Sequence, residues 1–407
     1  MMDRAAALEI AEACLAAADP EGAFAALRPH VEGVRDDERV ALLWARLLAH
    51  VADEEALTGE LKRFARAWPD HPTISLALAE AAAAFGRRLP FDAPRAADGV
   101  VALGVQILGR AVNTLGEKAF EDEYFCFALH LGLARVCAEA GPRFADDADA
   151  AFRLALEARP EAGSAWLERA RFLLRRRDWH GAAASAHEAA RRLTPDGPAW
   201  WLVATAATGR GDGAAALEAW RRAGLDPVTG PDGLPLVPGL DAVDVRLSAA
   251  TPGPRAGAPS ATPEWVRVSP HSPCHGRIEH PTARDLAGDF ADVVLFEGTP
   301  VDQADGRPRF IALAVLQTGA AATWRYAAPA DDPGARALAD GVFLHPLGPG
   351  HGKLVAPAAR PLAEIRALVT AHAPDLAVPA LFADTPAAAG HRRRFARWLT
   401  PDPVELS

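Results

Sequence analysis

Lysine is almost absent from this chain. Only Lys62, Lys118 and Lys353 occur in 407 residues, so arginine carries nearly all the positive charge, a bias that reads as the codon usage of a GC-rich bacterial genome. Cysteine is scarce as well. Cys14, Cys126, Cys137 and Cys274 form no C-x-x-C pair, which excludes a disulfide framework, and three of them fall in alanine-rich helical segments, the usage of a reducing compartment. No apolar run approaches the roughly 18–20 residues that span a bilayer. The opening stretch MMDRAAALEIAEACLAAA carries acids inside its apolar run and reads as an amphipathic helix instead of a signal peptide. A cytoplasmic location is the expectation. An excess of positive charge is missing too. Net charge is −10, and residues 1–264 hold 29 Lys and Arg against 38 Asp and Glu. That balance excludes general binding to a nucleic-acid backbone, which needs clustered cations. The arginine runs at Arg175–Arg177 and Arg392–Arg394 read as solvated helix faces.

What the chain has is alanine, in helical register. Half of the residues are apolar and about a quarter charged, a globular composition, and the length predicts two or three domains. Residues 1–227 read as successive helices, with apolar residues at three- and four-residue spacing and Pro, Gly or Asp between segments. Three segments end alike: ADAAFRLALEARP at Pro160, AAASAHEAARRLTP at Pro195 and AAALEAWRRAGLDP at Pro227. The prolines are 35 and 32 residues apart, the period of a stacked helical-hairpin array.

These residues resemble the tetratricopeptide repeat family. Trp166 and Ala170 match the first helix of its repeat, and Ala182 and Ala189 the second, closed by Pro195. Trp200 and Ala204, then Ala216, Trp220 and Ala223 before Pro227, form the next unit. Ala148, Phe152, Ala155 and Pro160 match a second helix ahead of both. Ala186 departs from the pattern, standing where the family has a larger residue, and the RRRDW stretch falls at the turn between helices. The match covers 125–227. It weakens over 1–124, where Phe64 and Pro69 mark a degenerate unit and 90–120 breaks the period. The resemblance implies a solenoid whose first helices line a partner-binding groove, and it places Arg171, Arg175, Trp201 and Thr205 there.

Residues 228–263 change to Pro, Gly, Ala, Ser and Thr, the composition of an extended linker, within which DAVDVRLSA reads as a short strand or helix. From Trp265 the period becomes 2. WVRV, DVVLFEG, RFIALAVLQ, TWRYAA and GVFLHPL read as strands, with an Asp-Gly turn in DQADGRP and a Gly turn in QTGAA. Helices are predicted at 361–373 and 385–399, with a short strand in LAVPALF between them. The expected fold is therefore an α-helical, tetratricopeptide-like solenoid over 1–227, a linker over 228–263, and a small α+β domain with an antiparallel meander over 264–400.

Chemistry concentrates in HSPCHGRIEH, residues 271–280. His271, Cys274, His275 and His280 are zinc-ligand types, with His345 and His351 further on, but no second H-x₃₋₅-H or C-x₂-C pair completes a structural site. Alternatively Cys274, next to His275, is a nucleophile activated by an imidazole; adjacent residues seldom point the same way, so the partner is His345, His351 or His280, with Asp285 or Asp289 as orienter. The third reading is a loop pinned by Pro270, Pro273 and Pro281. GPGHGKL, residues 348–354, fails as a phosphate loop: its first glycine is displaced, leucine follows Lys353, and no long helix follows. The sequence thus favours a non-enzymatic scaffold or adaptor with a protein or peptide partner and no cofactor. Its alternative is a C-terminal metal-binding module, with zinc, or a Cys/His enzyme whose substrate the repeats recruit.

Overall fold

The computed structural model describes residues 3–31, 37–90, 96, 99–115, 122–193, 197–253, 262–328 and 335–383. They fall into two compact units, 1–203 and 204–407. The helix expected at 385–399 lies outside the described residues.

Among the described residues the first unit holds ten complete α-helices: α1 (Arg4–Ala16), α2 (Pro20–Leu27), α3 (Glu38–Leu47), α4 (Glu54–Ala67), α5 (Pro72–Arg87), α6 (Val100–Thr114), α7 (Glu123–Glu139), α8 (Ala145–Ala158), α9 (Gly163–Arg175) and α10 (Trp179–Arg192). Helices adjacent in sequence pack as hairpins, α1 on α2, α5 on α6, α7 on α8 and α9 on α10, while α3, α5 and α7 pack on one another along the array. The aspartates that punctuate the sequence act as caps. Asp19, Asp53 and Asp178 accept the backbone N–H of Gly22, Ala56 and Gly181 at 2.9, 2.7 and 2.9 Å, satisfying donors that the first helical turn leaves open. Small residues sit at the crossings, as the repeat pattern implied: Ala148, Ala155, Ala170, Ala182, Ala186 and Ala189 are all fully buried. Trp166 is only half-buried, its indole N–H donating to the Pro160 carbonyl at 2.9 Å. The RRRDW turn joins α9 to α10, with Arg177 at φ +64°.

The helical array is expected to end at residue 227. The division falls inside α11 (Pro198–Gly209), so that helix's C-terminal half and α12 (Gly213–Arg222) belong to the second unit. The physical reason is packing: α12 contacts β1 (Val228–Thr229) and β2 (Pro235–Leu236), which pair as a short hairpin. The expected linker is therefore structured over most of its described length.

The expected meander is corrected as well. β3 (Val243–Leu247), β4 (Glu264–Ser272), β5 (His275–Ile278), β6 (Val293–Phe296) and β8 (Arg307–Gln317) form a closed five-stranded barrel. Neighbours pair antiparallel in chain order, and β3 closes the ring by pairing parallel with β8 through Asp244↔Arg309, Val245↔Phe310 and Arg246↔Ile311. Closure removes the sheet edges that an open meander leaves exposed. Val243, Val245 and Leu247 alternate inward and meet Val266, Val268, Ile278, Val294, Phe296 and Phe310 in the barrel core. The Asp-Gly turn is as read: β7 (Asp302–Ala304) folds onto β8 with Asp305 and Gly306 at φ +50° and +76°, the left-handed pair that a two-residue hairpin demands.

The Gly turn in QTGAA makes no hairpin. It leads into β9 (Ala321–Ala327) of a second sheet, ordered β10-β11-β12-β9 with β10 (Arg336–Ala339), β11 (Val342–Gly348) and β12 (His351–Pro357). At that junction Gly319 donates its N–H to Asp292 at 2.7 Å, and a Cβ there would stand 2.3 Å from the Ala291 carbonyl oxygen. α13 (Leu362–His372) buries Ile365 and Val369 among Tyr326, Leu344 and Leu354 of this sheet. LAVPALF forms only a single bridge, Ala377 to Ala327, and the GPGHGKL glycines make the β11–β12 turn.

Candidate metal centre

HSPCHGRIEH is the β4–β5 hairpin and not a loop. Ser272 pairs with His275 and Pro270 with Gly276, so His271 is the extra residue of a β-bulge. A bulge re-aims a side chain relative to plain alternation, and this one turns His271 toward His275, with ring centroids 5.6 Å apart at 87°. The third member comes from far along the chain. Asp232 lies in the β1–β2 turn, whose Leu234 N–H donates to Asp232 Oδ1 at 3.0 Å. That hairpin docks beside β4, where Val237 N–H donates to the His271 carbonyl at 2.7 Å. Asp232, His271 and His275 thereby each offer one donor atom, all within 4.8 Å of one another.

Around them, hydrogen bonding holds the His275 ring in place. Ser272 Oγ lies 2.6 Å from His275 Nδ1 and accepts the Cys274 N–H at 3.3 Å, while its own hydroxyl faces Cys274 Sγ at 3.5 Å. In the tautomer in which Nδ1 donates to Ser272, Nε2 carries the lone pair that a metal takes. That Nε2 is buried without a hydrogen-bond partner, and so is Asp232 Oδ2. His271 Nδ1 stands 3.6 Å from Asp232 Oδ2, too long for a hydrogen bond. Burial lowers His275 to about 4, with His271 adding to the effect and Asp232 opposing it; burial also lowers His271, Asp232 again opposing. Both shifts favour the neutral ring, the state in which imidazole ligates. His271 also lines an open groove of about 520 Å³ with Ser269, Arg277, Ile278, Glu279 and Phe290.

The other sequence candidates separate from this cluster. Cys274 is fully buried and turned toward α11, its Sγ 3.8 Å from Thr208 Oγ1. Burial pushes its thiol up, against hydrogen bonds with Ser272, Thr208 and Thr205. It is a packed thiol, not an activated nucleophile. Alkylation of native protein is expected to leave Cys274 unmodified while unfolded protein labels fully, checked by peptide mass spectrometry; native labelling at that site would disprove the assignment. His280 uses both nitrogens elsewhere, Nε2 accepting the Arg267 N–H at 3.1 Å and Nδ1 facing the Pro281 carbonyl at 3.2 Å. It stacks on His345 at 6.0 Å, and His351 Nδ1 lies 3.1 Å from the Pro349 carbonyl. Neither expected orienter reaches a ring of the cluster: Asp285 pairs with Arg325 at 3.0 Å, and Asp289 with Lys353 at 2.6 Å.

The expected groove residues divide. Arg171 and Arg175 are half-exposed on α9, and Trp201 is half-buried on α11. Thr205 is 2% exposed, so it lines no open surface; it serves the packing around Cys274 instead. On the first helices, an ion ladder runs across three hairpins. Arg135 of α7 meets Glu80 of α5 at 3.5 Å and donates twice to Glu168 of α9, at 2.7 and 2.6 Å. Arg175 stands 3.6 Å from Glu139 of α7.

No family model and no curated protein matches the chain. Among solved structures it is similar to PilW, a widely conserved type IV pilus biogenesis factor, at 16% identity and a TM-score of 0.39, over 54% of this chain and 93% of that one. A likeness of that strength carries no functional inference. Among the described residues no helix is long and apolar enough to cross a membrane.

Proposed function

We propose that the protein is a scaffold or adaptor whose helical repeats bind an acidic protein or peptide segment along the face of α5, α7 and α9. The ion ladder Glu80–Arg135–Glu168 carries this reading, because it joins three successive first helices into one continuous polar face. Arg171 lies three residues after Glu168 and four before Arg175, so helical spacing puts all three on that face. Bidentate arginine donors suit carboxylates better than a point charge does. Repeat arrays use such extended faces to read linear segments.

The test is an array of peptides graded in charge and probed with the full chain. Acidic peptides are expected to bind, and Arg171→Glu to weaken them about tenfold, a loss of roughly 1.4 kcal/mol. Binding indifferent to peptide charge, or unchanged in Arg171→Glu, would refute the proposal.

A further inference from the structure

We propose that Asp232, His271 and His275 bind one zinc ion, with a remaining coordination position open toward the groove lined by Ser269, Arg277, Glu279 and Phe290. The site belongs to the second unit and stands independently of the adaptor reading.

Two buried polar atoms at this point are orphaned. A buried carboxylate oxygen, Asp232 Oδ2, and a buried imidazole nitrogen, His275 Nε2, both lack a hydrogen-bond partner. Leaving such lone pairs buried and unmatched is costly, and placing them near each other adds repulsion. His271 Nδ1 at 3.6 Å from the same carboxylate oxygen brings a third acceptor or ligand atom to one point. A single cation answers all three needs, whereas a proton answers at most one pair. Two imidazoles and a carboxylate select a borderline transition metal over magnesium or calcium, which prefer all-oxygen shells. Zinc exceeds iron(II) in affinity for such donors.

The surroundings match a ligating site. Ser272 holds His275 Nδ1 and so presents Nε2, the device that orients metal-binding histidines. The bulge at His271 and the docking of the β1–β2 hairpin bring the other two donors in. Three protein ligands fall one short of a closed tetrahedral site, the arrangement in which zinc keeps an exchangeable water. Side chains of His271 and Asp232 are 14% and 12% exposed, so the ion has a route in.

The experiment uses the full chain, stripped with a chelator and titrated with zinc against a chromophoric indicator. One equivalent is expected to bind. His271→Ala and Asp232→Asn should each weaken binding more than about 100-fold, and Ser272→Ala about 10- to 100-fold although it removes no ligand. Cys274→Ser should leave affinity unchanged. X-ray absorption of the zinc form should show nitrogen and oxygen neighbours and no sulfur. Asp232→Asn keeps the side-chain shape, so it decides the matter if His271→Ala fails to fold. Less than one equivalent at micromolar zinc, wild-type affinity in Asp232→Asn, sulfur in the coordination shell, or preference for iron(II) over zinc would each overturn the proposal.

Discussion

Replacing Lys353 with methionine is expected to lower the stability of the C-terminal unit by about 3–5 kcal/mol, the effect of leaving a buried charge without its partner. Lys353 Nζ donates to Asp289 Oδ2 at 2.6 Å and to Thr282 Oγ1 at 3.1 Å, and both charged side chains are under one-tenth exposed. Thr323 Oγ1 also donates to Asp289 Oδ2 at 2.7 Å, and Oδ1 accepts the N–H of Thr282 and Phe290. Lys353 and Thr323 come from the second sheet, while Thr282 and Asp289 come from the β5–β6 connection of the barrel, so this network ties the two sheets together. Burial pushes the Asp289 carboxyl up, but the charge and hydrogen bond of Lys353, helped by Thr323 and Thr282, outweigh it and hold the group below its ordinary 3.8. A depressed carboxyl contributes stability that is present above the ordinary value and lost as pH falls through the folded one. Without Lys353 the burial cost is opposed only by the remaining hydrogen bonds, and the folded value rises. The gap between wild type and Lys353→Met should therefore be widest near neutral pH and narrow on acidification. Adding Asp289→Asn, which removes the charge yet keeps an acceptor for the two N–H groups, should recover much of the loss. Urea unfolding followed by amide exchange in β9 and β12 measures all three; a Lys353→Met protein as stable as wild type would sink the argument.

That pair shows where sequence reading stops. In the sequence Lys353 stands out as one of three lysines and as the lysine of a failed phosphate loop, and Asp289 as an orienter for a histidine. Nothing local pairs residues 64 apart; the register of β12 beside β9 does. The same limit hid the barrel. The runs of β4, β6 and β8 were legible as strands, but β5 lay hidden in a stretch read as a loop; closure depends on β3 lying parallel to β8, and VDVRL sat in a stretch whose composition spoke for a linker. Composition was right about the turns there and silent about their docking. So Asp232, in a Pro-Asp-Gly turn, carried no signal of meeting His271 and His275. The histidines themselves were legible as ligand types. The bulge that sends His271 and His275 together, and Cys274 to the other side, was not.

The repeat region was more readable because its contacts are local, and its packing yields the second large effect. Phe152→Ala is expected to cost about 3–5 kcal/mol through lost burial and the cavity left behind. Phe152 is 1% exposed on α8, with its ring 5.6 Å from that of Phe172 on α9, so it joins one hairpin to the next. In an array stabilised by neighbour contacts, that loss should uncouple α7–α8 from α9–α10 and appear as early amide exchange in α8 and α9. The corresponding position of the next unit tests whether the packing or the family pattern governs. Ala186 stands where a larger residue is usual, yet it is fully buried. If the helices have closed around the small side chain, Ala186→Leu overfills the crossing and destabilises by about 1–3 kcal/mol, although it restores the pattern. Stabilisation by Ala186→Leu would mean that a void remains there. Changes of opposite sense at equivalent positions should thus both weaken the array, and by more at Phe152, where a cavity replaces a ring.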